Sequence, residues 1–187
     1  METNLRKAQD SLAIEDVYLI DWSARTHSDF DPLLTPPDQP NGLTVQLLCS
    51  PEQHIGLITG QTESGPESRV RYSIRTGIRM LKPGTEDSAQ VIPEESIFAE
   101  INGTFAVRYL IKGSDRPTQE MLEAFADNVI HHVWPYWREF VQATAARLRI
   151  PPVMIPMRVV RPGAKKEPTQ QVAETASSPA HRGRKKR

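Results

Sequence analysis

The chain has 187 residues, 38% hydrophobic and 25% charged, which is enough for one domain with a modest core. No apolar run is long enough to cross a membrane, and the polar start METNLRKAQD does not read as a secretory signal. One cysteine, Cys49, excludes a disulfide framework and a multi-cysteine zinc site and suits a reducing cytoplasm. The formal net charge of zero hides an asymmetry: residues 161–187 carry eight Lys/Arg against two Glu, so a basic tail follows an acidic body.

Residues 1–14 are a polar N-terminal segment, loose or briefly helical. Strand character begins at Val17, where Tyr18, Ile20, Trp22 and Ala24 alternate with Asp21, Ser23, Arg25 and His27. A proline-rich loop follows and strands two apolar residues, Leu33 and Leu34. Leu43–Cys49 is a second strand, and residues 50–66 read as a connection into which Ile55, Leu57 and Ile58 could extend it. In the third strand Val70, Tyr72, Ile74, Ile78 and Met80 alternate with serine and arginines, giving a half-buried strand with a wet, basic outer face. The fourth, Ile97–Lys112, keeps one apolar parity, with a bulge or bend expected at Gly103.

The period then changes to that of a helix. Thr118 is the expected N-cap, and Met121, Phe125 and Val129 form a stripe. Pro135 is expected to end or kink this helix, with Trp137, Phe140, Val141, Thr144 and Leu148 continuing on a second. Pro151-Pro152 stops it, and VMIPMRVV reads as extended. The result is an α+β fold: a four-stranded antiparallel sheet followed by a kinked or split helix, within a domain at 15–160. One helical layer covers one sheet face, so self-association is expected. The tail at 161–187 buries too little to fold and is read as disordered.

Catalytic chemistry finds no support. His131 and His132 are adjacent and cannot chelate one ion together; they read as polar residues at a helix end. Asp29 and Asp31 read as turn formers, and Cys49 near His54 as a structural thiol. There is no phosphate-binding glycine loop and no nucleophile elbow. The chain therefore reads as a non-enzyme with no cofactor and no metal.

The segment WPYWREFVQATAARLRIPPVMIP resembles the SecB-like chaperones, whose long helix carries an aromatic-Pro-Tyr-x-Arg-Glu core; here it is Trp134-Pro135-Tyr136-Trp137-Arg138-Glu139. The fourth strand FAEINGTFAVRYLI and the order of four strands then helix resemble the family too. The resemblance implies an ATP-independent, cytoplasmic holdase, a homotetramer built as a dimer of dimers, holding unfolded clients in apolar grooves for protein export or for a toxin–antitoxin system. It implies a client groove at Leu33, Leu34, Ile97, Ala99, Ile101, Val153 and Ile155, and a helix or oligomer interface at Trp134, Tyr136, Trp137 and Phe140. Asp21 and Glu100 match acidic positions that contact the export motor ATPase, but Arg25 stands where a second acid is expected, and the polar chain after Val160 leaves no lid helix. These departures count against export coupling, and the absence of a lid helix is shared with family members that serve toxin–antitoxin systems, so the resemblance leaves both export and an antitoxin client open. The alternative is a non-enzymatic adaptor or nucleic-acid-associated protein acting through the basic tail; the body lacks the interleaved basic and aromatic residues that nucleic acid asks for.

Overall fold

Strands with one apolar parity need a cover for that face, and the amphipathic stretch after Pro117 supplies it. The computed structural model describes residues 2–28, 30, 43–62, 65–83, 85, 92–113 and 115–157. They form α1 (Glu2–Ser11), β1 (Leu12–Thr26), β2 (Thr44–Thr62), β3 (Gly65–Leu81), a single 3₁₀ turn (Glu94–Ser96), β4 (Ile97–Ile111) and α2 (Gln119–Leu148). The sheet has the order β1-β4-β3-β2, and each neighbouring pair is antiparallel. β1 and β2 are therefore its edges. The expected α+β architecture is present.

The central pair sets the core. Tyr72 faces Val107, Ile74 faces Phe105 and Ile78 faces Ile101 across it. All of these side chains are buried, together with Leu122, Phe125, Val129, Val133 and Trp137 of α2.

Several local expectations are corrected. β1 carries two bulges, between Ile14 and Asp16 and between Leu19 and Asp21. Each adds a residue and changes which parity faces the core. The single face expected for Tyr18, Ile20, Trp22 and Ala24 is broken: Trp22 and Ala24 oppose Gly103 and Ile101 on the helix side, while Tyr18 opposes Ala106 on the outer side and Ile20 is the exposed extra residue. β2 runs on to Thr62 through a register shift between Pro51 and Ile55. An edge strand tolerates a proline because one side of it needs no ladder partner. Gly103 is not a bulge, since pairing passes through it unshifted on both sides. A Cβ there would lie 3.2 Å from Leu19 Cδ1 and 3.3 Å from Phe140 Cε1. The glycine lets a helix ring rest on the strand.

α2 is one helix of 30 residues with Pro135 inside it, so the expected split does not occur. An interior proline costs about 3 kcal/mol. Val133, Trp137 and Val141, around it, are buried, and side chains of this size contribute about 1.5–3 kcal/mol each on burial. Packing wins. The Thr118 hydroxyl accepts from Met121 N–H at 3.4 Å as N-cap. At the other end Arg149 turns left-handed (φ 56°), and the Ile150 N–H donates to Ala145 O at 3.2 Å. The polar segment at 1–14 contains α1 and the start of β1; Ala8 and Leu12 are buried and Leu5 packs against the same core. The tail at 161–187 lies outside the described residues.

Candidate functional site

The seam between α2 and the sheet is aromatic and partly polar. The Tyr72 hydroxyl donates to Leu122 O at 2.9 Å, and Tyr109 meets His132 Nδ1 at 2.7 Å. Phe125 stands edge-on to Tyr109 with ring centroids 5.2 Å apart. Burial raises both phenol pKa values. It also lowers that of His132, with a smaller contribution from the charge of His131. The two histidines lie mid-helix, not at a helix end, because Pro135 does not stop α2.

Beyond Arg149, residues 150–157 run as an irregular strap. Ile150, Val153 and Ile155 point into the core, while Met154 and Met157 are 77% and 72% exposed. The Trp134 indole N–H donates to the Pro156 carbonyl at 2.9 Å and pins the strap to α2. Arg138 reaches the Met157 sulfur.

These contacts decide where the expected site residues stand. Ile97, Ala99, Ile101, Val153 and Ile155 are buried, none more than 8% exposed, and all but Ile97 belong to one apolar cluster with Val133 and Trp137 of α2. Most of their surface is covered, because the helix and the strap complete the face they belong to; Ile97 and Ala99 also reach an open cleft at the end of the sheet. Leu33 and Leu34 lie outside the described residues. Of the helix residues, Trp137 is buried in its own chain's core and Trp134 is half-buried against it, their rings edge-on at 4.8 Å. Phe140 is half-buried between Phe105 and Trp22, at 6.1 Å from each ring. Only Tyr136 of the four is exposed.

The exposed apolar surface lies elsewhere. On the helix side of the β1 edge, Ile14 and Trp22 are exposed, Trp22 to 59%. Phe140 and, one turn earlier on α2, Tyr136 border that strip. Met154 and Met157 form a second patch on the strap. The sequence signal for the first was Trp22 itself. For the second it was only the parity of an irregular segment, which alternation cannot assign.

On the outer face Asp21 is exposed and opposes Thr104. Glu100 is different. It sits between Arg79 at 2.9 Å and Arg25 at 3.1 Å, and Arg25 also pairs with Glu94. Burial pushes the Glu100 pKa up, but the hydrogen bonds and charges of Arg79 and Arg25 outweigh it and hold the carboxyl below its ordinary value. Its charge is already taken. An open cleft of about 330 Å³ beside it is lined by Arg25, His27, Glu94 and Glu95 together with Ile97, Phe98 and Ala99, so its wall is mixed and two of the expected groove residues contribute to it. Among the described residues, no three His, Cys, Asp or Glu side chains gather as a metal site.

The sequence matches no family of known proteins and no curated protein. The fold does find a counterpart. It is similar to the Mycobacterium tuberculosis Rv1957 SecB-like chaperone, solved in complex with a ChAD peptide from the Rv1956 HigA1 antitoxin, with a TM-score of 0.61 and 22% identity over 86% of this chain and 99% of that one. The fold is SecB-like. On this SecB-like fold two exposed apolar patches among the described residues border α2, one along the β1 edge and one on the strap that follows the helix, while Leu48, Leu57 and Ile58 are exposed on the β2 edge.

Proposed function

We propose that the protein is an ATP-independent holdase chaperone that binds unfolded or aggregation-prone segments of other proteins, with an antitoxin as its client. The observation that carries this reading is the exposure of Met154 and Met157 beside a completed core. Isolated apolar residues on a surface mean little, but two long thioethers held out by a strap are suited to changing partners, because methionine adapts its shape. Each square ångström they bury against a client is worth about 25 cal/mol. The strand edge at β2, which the assembly strip does not use, can add backbone hydrogen bonds to an extended segment. The SecB-like counterpart binding an antitoxin peptide supports the choice of client.

The strip of Trp22, Tyr136 and Phe140 is the surface we assign to assembly, as a homotetramer made of two dimers. An export motor is the weaker partner. Glu100 is neutralised by two arginines, and only Asp21 remains as an exposed acid at the positions considered for that contact. The reading requires no catalytic group and no cofactor, and it places the protein in the cytoplasm.

The test is suppression of aggregation of a heat-unfolded enzyme, without ATP. The parent chain should protect it. Met154→Ser/Met157→Ser should protect poorly while keeping its melting temperature and mass. A parent that gives no protection overturns the holdase reading, and a fully protective double variant places the client surface elsewhere.

A further inference from the structure

The outer face of the sheet, turned away from α2, is a second surface with its own charge pattern. Register sets one row across it: Asp16 on β1, Arg108 on β4, Arg71 on β3 and Gly56 on β2. Two like charges thus stand directly opposite each other in mid-sheet, an arrangement that weakens a sheet. Arg108 is drawn towards β1, where it pairs with Glu15 at 3.1 Å and Asp16 at 3.5 Å and lies 5.7 Å over the Tyr18 ring. Arg69 is held by Glu15 at 3.0 Å and Glu67 at 2.8 Å, and Arg79 by Glu100.

Arg71 is exposed and has no such arrangement among the described residues. Its neighbour on β2 is a glycine and its neighbour on β4 is Arg108. The diagonal positions Leu110, Ala106 and Ile58 bring no carboxylate among the described residues. Arg75 extends the basic row along β3, about 13 Å further on at ordinary strand rise. Between them Ser73 and Ala106 are small and buried, so the floor is shallow.

We propose that this patch, centred on Arg71 with Arg108 and Arg75 at its rim, docks an acidic peptide segment of a partner protein. An extended peptide laid along β3 repeats at the same rise, so a run of acids keeps one carboxylate over Arg71 while its neighbours lie in the positive field of Arg108 and Arg75. A guanidinium takes a carboxylate in a two-pronged hydrogen-bonded pair, which a flat sheet leaves room for. A nucleic acid fits less well. A duplex, wider than one strand, would also cover Glu15, Asp16 and Asp21 on β1, whereas a peptide can place its acids only over the basic row. The surface lies on the opposite side of the sheet from the apolar patches that border α2, so one chain can hold both kinds of partner.

The experiment uses the full chain and a short fluorescent peptide of alternating Glu and Ser, with binding read by anisotropy at low salt. The parent should bind it, and more weakly as salt is raised. Arg71→Glu should weaken binding about ten-fold, and Arg71→Gln less but in the same direction. Both variants should melt at or above the parent temperature, because the like charge opposite Arg108 is gone. A parent that does not bind, or an Arg71→Glu chain that binds equally well, overturns the proposal; in the second case the basic tail carries the peptide. Binding and melting temperature that fall together make Arg71 a structural residue and overturn it too. A short single-stranded DNA that binds more tightly and also depends on Arg71 makes the partner a nucleic acid. Client holding is measured in parallel and should not change in the Arg71 variants, so loss of the holdase reading leaves this result standing on its own.

Discussion

The phenol of Tyr109 on β4 meets Nδ1 of His132 on α2 at 2.7 Å, so the seam between sheet and helix contains a residue whose ordinary pKa lies within the range of mildly acidic to neutral pH. Burial, then the charge of His131, favours the neutral ring, whose Nδ1 accepts a hydrogen bond from the phenol in the Nε2–H tautomer. Protonation puts a second N–H where Tyr109 needs an acceptor.

The sign of the pH dependence follows. The folded pKa of His132 lies below its ordinary 6.5. The unfolded chain therefore binds a proton first as pH falls. The contribution of this group to stability is complete above pH 6.5 and declines as pH drops from there through the folded pKa. Thermal melts between neutral and mildly acidic pH should show the parent losing stability more steeply than His132→Gln, whose amide can still accept from Tyr109. Equal slopes would mean that the ring is not held neutral by the seam.

Two glycines on the central strands should respond differently to substitution. At Gly103 an added Cβ meets Leu19 and Phe140, both wedged between sheet and helix. Gly103→Val should cost about 1–3 kcal/mol by overpacking. At Gly77 the nearest atom is the Asn102 amide oxygen, 2.6 Å away, at the end of a half-buried side chain that can rotate. Gly77→Ala should cost less than Gly103→Val. Urea unfolding of both variants checks the order, and a reversal would mean that Asn102 cannot move.

Trp137 and Trp134 are three residues apart and have different tasks. Trp137→Ala empties a fully buried site and should cost about 3–5 kcal/mol. Trp134→Phe keeps the ring but loses the hydrogen bond to Pro156, a change of about 1 kcal/mol. Its effect should be local. Proteolysis should accelerate at residues 150–157, with little change in the melting temperature of the whole. Accelerated cleavage spread over the chain would mean that the strap supports the core and does not merely lie on it.

Much of this fold was legible because its strongest signals are periodic. Tyr72, Ile74 and Ile78 on β3, and Phe105, Val107 and Tyr109 on β4, keep strict parity, and Val129, Trp137 and Val141 keep helical spacing. What was not legible depends on register and on three-dimensional cover. The bulges in β1 are invisible to alternation, so Tyr18 was grouped with Trp22. Pro135 left a kink and a split equally open, because local cost is visible in a sequence and the packing that keeps α2 continuous is not. The groove suffered most. Val153 and Ile155 are apolar, and so are Met154 and Met157; only the Trp134 bond and the core contacts say which pair turns inward.

The final prediction concerns assembly. Trp22 is 59% exposed, and its one ring contact is the edge-on approach to Phe140 at 6.1 Å. Within a single chain it has little to hold together, so Trp22→Ser should change the stability of an isolated protomer by less than about 1 kcal/mol. Between chains the expectation is larger. A tryptophan near the centre of an interface is a common anchor, and truncating such a residue costs about 2 kcal/mol or more of association. Tyr136, exposed beside it on α2, completes the strip. Sedimentation of Trp22→Ser at micromolar concentration should therefore show smaller species than the parent, and Trp22→Ser/Tyr136→Ser smaller still, with the circular dichroism of the folded protomer preserved. A parent that is already monomeric removes the assembly. A parent tetramer that survives both substitutions moves the interface away from the β1 edge and leaves that edge free for an extended client.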